Sequence, residues 1–255
     1  MKAVLFTIQN AYAYLDKLGP KKSIQIVNKL GLDKIYSISK IIPKNRLVAL
    51  AQNLSVEKIV EAIKTIEENT LAELIENLND ETLLYFLQNI PVKEISEFVE
   101  KISVIEIRFL IEKIGKEIAA ILILEIGVEK SANLLNLVGS KTMTDLIITT
   151  GYKEIVILVK SLTLKESEKW IKEFGVNDIP ILIQGLGAKN MLSIIKTLGL
   201  DNSMETVKIL GSNKSVEIAK NISKMKLPKS STPISKKKKT KKKLVPKKIR
   251  SKAGA

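Results

Sequence analysis

Apolar residues recur along this chain with a period of twelve. In each dozen the fourth, seventh, eighth and eleventh places are apolar or small, as at Leu71, Leu74, Ile75 and Leu78, and again at Ile95, Phe98, Val99 and Ile102. The spacing i, i+3, i+4, i+7 puts them in one stripe of an α-helix. The twelfth place carries a turn residue. Ten of the 12 glycines hold it: Gly19, Gly31, Gly115, Gly127, Gly139, Gly151, Gly175, Gly187, Gly199 and Gly211. Elsewhere it is Pro43, Ser55, Glu67, Asn79, Pro91, Ser103, Thr163 or Ser223. Gly supplies a left-handed helix stop, and Ser or Asn supplies a cap for the next helix. Ser103 with Glu106 reads as a capping box. Each repeat is therefore about nine helical residues plus a tight turn, too short to be stable unless its stripe is buried against neighbours.

A second period lies at the first place of each dozen. Alternate repeats carry Ile8, Leu32, Val56, Asp80, Val104, Val128, Tyr152, Val176 and Leu200; the intervening ones carry a more polar set that includes Lys44, Glu68, Lys116, Ser140 and Ser212. The pattern predicts an all-α solenoid or superhelix over residues 1–223, with about 18 short helices paired as nine 24-residue units. It predicts no internal domain boundary. Residues 224–255 lack the pattern and read as a disordered, Lys-rich tail.

Stretches such as NDETLLYFLQNI, PVKEISEFVEKI and SVIEIRFLIEKI resemble the 12-residue helical repeats of the intracellular N domain of MgtE-type magnesium transporters. The flagellar motor switch protein FliG has similar repeats. The likeness is best over residues 44–115, and it implies a regulatory or protein-binding superhelix rather than an enzyme. Magnesium sensing does not transfer, because no membrane domain or nucleotide-binding module accompanies the repeats.

Charge divides the chain in the same place as the repeats do. Of 42 Lys and Arg, 14 fall in residues 224–255, which hold no acid; all 27 acids lie in residues 1–223. The net charge of +15 is thus +14 of tail and +1 of body. Residues 1–55 are basic, residues 56–115 acidic and residues 116–223 balanced.

Chemistry is narrowly bounded. The chain has no Cys and no His, which excludes disulfides, thiolate nucleophiles, zinc fingers and His-based triads. The segment GSKT at 139–142 lacks the Gly-Lys pair of a phosphate loop. Gly185 and Gly187 are followed by Asn190 where a dinucleotide fingerprint needs Gly. The expectation is a non-enzyme with no catalytic residue, no metal site and no cofactor. The most apolar run, Ile118 to Ile126, is short and contains Glu125, so no transmembrane segment is predicted. The apolar run at Ala3–Ile8 is short for a signal peptide. The reading is an intracellular protein, at the nucleoid in a prokaryote or in the nucleus of a eukaryote.

Two features of the body are candidate surfaces. At the ninth repeat place, Lys172, Lys196 and Lys220 follow at intervals of 24; stacked helices would turn them into a basic ladder for phosphates, or they are a solvated face. In the middle repeats Phe109, Ile118, Ile121, Leu124, Ile148 and Ile157 are apolar where other repeats are polar, which predicts either a protein-partner patch or local burial on both faces. Trp170 sits on the stripe and reads as core.

The tail is the strongest functional signal. Its cations Lys229, Lys236, Lys237, Lys238, Lys239, Lys241, Lys242, Lys243, Lys247, Lys248, Arg250 and Lys252 suit non-specific binding to DNA or RNA phosphates. No aromatic residue offers base stacking, and a single Arg offers little guanine reading. Its composition resembles the tails of linker-histone-like proteins. A nuclear targeting signal, attraction to anionic membrane surfaces and a purely solubilising end fit the same residues.

Overall fold

The computed structural model describes residues 16–224, which form only helices and turns. In chain order the helices are α1 (Pro20–Leu30), α2 (Leu32–Ile41), α3 (Lys44–Asn53), α4 (Val56–Thr65), α5 (Glu68–Asn77), α6 (Asp80–Asn89), α7 (Val92–Lys101) and α8 (Val104–Ile114). There follow α9 (Lys116–Ile121, continuing as a π-helical turn Leu122–Ile126), α10 (Val128–Val138), α11 (Ser140–Thr150) and α12 (Tyr152–Ser161). The last are α13 (Leu164–Leu186), α14 (Ala188–Leu198), α15 (Leu200–Leu210) and α16 (Ser212–Lys224). Two repeats make up α13, broken where Gly175 leaves helical geometry at φ 55°, ψ −158°. The predicted all-α repeat solenoid is the fold.

Two turn chemistries serve one register. Where the marker is not Gly, the preceding apolar residue turns extended, as at Leu54 (φ −109°, ψ 150°) and Ile90 (φ −112°, ψ 136°), and these helices have 10 residues. Both residues are buried, so the turn is pinned by the core. Where the marker is Gly, it ends one helix and starts the next, and the helices on either side of Gly139 have 11 residues. Repeats are thus longer in helix than the expected nine. The Gly geometry also differs from a left-handed stop. Gly139 has φ 87° and ψ 143°, in the mirror-extended region open essentially to Gly alone. The capping box expected at Ser103 is half formed: Ser103 Oγ accepts from the Glu106 N–H at 3.3 Å. The complete reciprocal box is at Thr163 and Glu166.

Packing follows threes rather than pairs. Besides their neighbours in sequence, most helices pack on the helix three repeats along: α1 on α4, α2 on α5, α3 on α6, α4 on α7, and so on to α8 on α11, with α12 on α14 because α13 counts as two repeats. Three helices thus complete a superhelical turn of 36 residues. The 24-residue pairing read from the first repeat place is not the stacking unit. It reappears in polar bonds between turns. The ninth-place side chains Asn136, Lys160, Gln184 and Lys208, spaced by 24, each reach the tenth place of a helix one turn earlier. Asn136 and Gln184 donate to the carbonyls of Lys101 (3.2 Å) and Thr149 (3.1 Å). Lys160 and Lys208 pair with the carboxylates of Glu125 (2.5 Å) and Glu173 (2.5 Å). Gln88 repeats the amide version on Asn53, at 3.1 Å.

One apolar core runs through nearly all described repeats, from Ile38 to Val216. Ile75, Leu134, Leu146 and Ile179 have no exposed surface, and burying one such side chain contributes about 1.5–3 kcal/mol. Trp170, 4% exposed, packs edge-on against Phe174 at 6.3 Å, as its stripe position predicts.

Carboxylates one turn back bond to the first residues of helices whose Gly N-caps have no side chain, and one of them caps a backbone N–H. Glu154 Oε2 accepts the Ala188 N–H at 2.7 Å at the start of α14; Asp178 accepts from Ser212 Oγ at 2.7 Å, and Glu106 from Ser140 Oγ at 3.4 Å. Glu154→Ala is therefore expected to lower stability by about 1 kcal/mol. Urea unfolding checks this; Glu129→Ala, on an exposed position, is expected to stay within about 0.5 kcal/mol of the parent.

Gly185 stands outside the twelve-residue register, and close packing explains it. A Cβ there would lie 2.4 Å from Val216 Cγ1 of α16. Gly185→Ala is expected to destabilise by about 1–3 kcal/mol through overpacking. Val216→Ala in the same chain should restore part of the loss, read as a positive coupling in a double-mutant cycle.

Candidate interaction surfaces

Several body cations hold turns of the superhelix together. Arg46 pairs with Asp80, Lys116 with Glu81, and Lys169 with Asp201 at 2.6 Å, each across one superhelical turn. The contact with Glu81 raises the Lys116 pKa above its ordinary value and lowers that of Glu81; the hydrogen bond between them is the main cause. Lys169 is raised in the same way by Asp201. Lys130 donates to the carbonyls of Val159 and Leu162 at the end of α12, where a cation suits the helix dipole. Partial burial lowers its pKa. Glu166 is held below the usual carboxylate range, first by the Thr163 backbone N–H and then by its hydroxyl.

The Lys172, Lys196 and Lys220 ladder assumed that helices 24 residues apart stack. The main packing partners are instead one and three repeats apart, and α14 and α16 are not among them. Lys172 pairs with Glu168 on its own helix at 2.7 Å, while Lys196 and Lys220 are exposed on separate helices. The direct stacking of helices 24 residues apart on which that ladder was drawn is thus not the main packing.

The six apolar residues of the middle repeats divide. Ile118, Ile121 and Ile157 are half-buried and pack against the core. Phe109 is half-buried, with the Lys113 ammonium 5.9 Å from its ring centre. Leu124 and Ile148 remain exposed, at 46% and 59%. Ile105 is more exposed still. The tail cations from Lys229 to Arg250 and Lys252 lie outside the described residues, as does Ile8.

A hollow at the carboxyl end escaped the sequence reading. It has a volume of about 520 Å³ and lies among α14, α15 and α16, floored by Trp170, Phe174 and Leu182. In the middle of the superhelix the corresponding space, around Phe98 and Leu134, is about 20 Å³. The signal that could have found it is the end of the stripe: past Ile222 no repeat follows to fill the axis. The turn-to-turn pairs escaped as well. Their signal is complementary polar residues 34 or 35 apart, a spacing that appears only once three helices per turn are known.

Among the described residues no cluster of three carboxylates gathers as a metal site, and no helix is long and apolar enough to cross a membrane. No family model, curated protein or solved structure matches this chain.

Proposed function

We propose that this chain is a non-enzymatic helical scaffold that associates with DNA or RNA through residues 224–255, without sequence preference. One observation carries the reading: +14 of the +15 net charge resides in a segment with no acid and no repeat. The near balance of the body, with 28 basic and 27 acidic residues in 1–223, supports it, because it leaves the tail as the concentrated phosphate-binding feature. Lys residues that neutralise phosphates release counterions, so affinity depends steeply on salt. With about half the tail charges engaged, the slope of log K against log salt is on the order of −6. Gel shift of duplex and single-stranded probes across a salt series, for the full chain and for residues 1–223, tests it. Intracellular location at a nucleoid or in a nucleus belongs to this reading.

A second reading has its own observation. Exposed Leu124, Ile148 and Ile105 offer apolar contacts on the middle repeats, which fits a protein-interaction scaffold whose tail targets or solubilises it. That is also the role implied by the resemblance to the magnesium-transporter and motor-switch repeats. Attachment to anionic membrane surfaces is the third; flotation with vesicles of anionic and neutral lipid separates it from the first.

A further inference from the structure

The last turn of the superhelix is open. Most helices pack on the one three repeats along, and for α14 that place falls to residues 224–234. Beside α14 lies the hollow of about 520 Å³, walled by Met191, Met204, Val207 and Ile218. At its rim Leu198 and Ile222 are 48% and 59% exposed.

We propose that residues 225–235 of the same chain cover this hollow, with Leu227 and Ile234 as anchors. The register points to them. They stand at the fourth and eleventh places of the next dozen, two of the four stripe places, with small Ser230 and Ser231 at the seventh and eighth. The exit of the chain points the same way, since Ile222 and Ser223 line the hollow and the segment begins beside them. Pro228 and Pro233 exclude a further helix. The covering is therefore an extended strap; seven residues from Leu227 to Ile234 span about 23 Å, enough to cross helices about 10 Å apart. Charge favours this occupant over a second copy. An end-to-end dimer would bring two tails of +14 together, whereas the strap itself carries only Lys226 and Lys229. The strap fixes the root of the basic arm to the carboxyl end of the superhelix.

Trp170 is the only Trp and stands on the floor of the hollow, so it reports occupancy. In the full chain, Leu227→Ser with Ile234→Ser removes both anchors and keeps every Lys. Acrylamide quenching of Trp170 is expected to rise about twofold, as for a locally opened site, with helicity unchanged. Leu244→Ser with Val245→Ser, farther along the tail, is expected to leave quenching at the parent level. Equal quenching in all three chains overturns the proposal. So does protection of Trp170 that disappears on dilution as sedimentation shows a dimer dissociating, because a second copy is then the cover. A crosslink gives an independent answer. The chain has no Cys, so Leu198→Cys with Leu227→Cys is expected to form an intrachain disulfide on mild oxidation, well ahead of Leu198→Cys with Val245→Cys. Equal yields from the two pairs also overturn it.

Discussion

Removal of residues 224–255 is expected to reduce nucleic-acid binding at low salt to a weak residual level. The full chain should lose about 10³- to 10⁴-fold in affinity between 50 and 200 mM salt, the range for six or more phosphate contacts. Residues 1–223 should show weak binding with a slope near zero, because their 28 basic and 27 acidic residues nearly cancel. Replacing six of the clustered Lys with Gln should reduce the slope by about three, since about half the tail charges are engaged. Changes of probe sequence should matter little, since the tail has one Arg and no aromatic residue. The reading fails if residues 1–223 bind as the full chain does.

Leu134→Ala is expected to be strongly destabilising. Leu134 lies in α10 with no exposed surface and faces the narrow axial space of about 20 Å³. Truncating such a Leu leaves a cavity and costs about 3–5 kcal/mol. In a superhelix the loss is shared by the turns above and below, because α10 packs on α7 and on α13. The unfolding transition is therefore expected to broaden or split as the two halves uncouple. Ile148→Ala, on an exposed site one helix away, is expected to change stability by less than about 0.5 kcal/mol. Denaturant unfolding followed by circular dichroism compares the two. Equal effects would show that the axial core does not carry the fold.

What the sequence discloses and what it conceals have a common physical origin. The stripe Leu71, Leu74, Ile75 and Leu78 is read correctly, and all four residues are at most 4% exposed. A period of twelve fixes where each helix starts, stops and presents its apolar side. It does not fix how far each turn rotates the chain about the common axis. That rotation depends on turn dihedrals, which differ between Gly139 (ψ 143°, φ positive) and Leu54 (ψ 150°, φ negative). The eye takes the 24-residue alternation for a stack of pairs, whereas the backbone closes in threes. The difference carries over to the site: Lys172, Lys196 and Lys220 align at intervals of 24, whereas the main packing between turns joins residues about 36 apart. The hollow beneath Trp170 was hidden for a different reason. Its only trace in the sequence is the stripe stopping after Ile222, which shows where the repeats end but not that a space is left beside them.

The two spacings have a consequence for how such a chain lengthens. Polar bonding between turns alternates every 24 residues, while the superhelix closes every 36, and the shortest length that satisfies both is 72. Duplication of one helix pair keeps the bonding pattern but adds only two-thirds of a turn. The copy number of repeats therefore acts as an angular dial. It sets the direction in which the basic end points relative to the amino end, so two proteins that differ by a single helix pair would hold the same cargo on different sides.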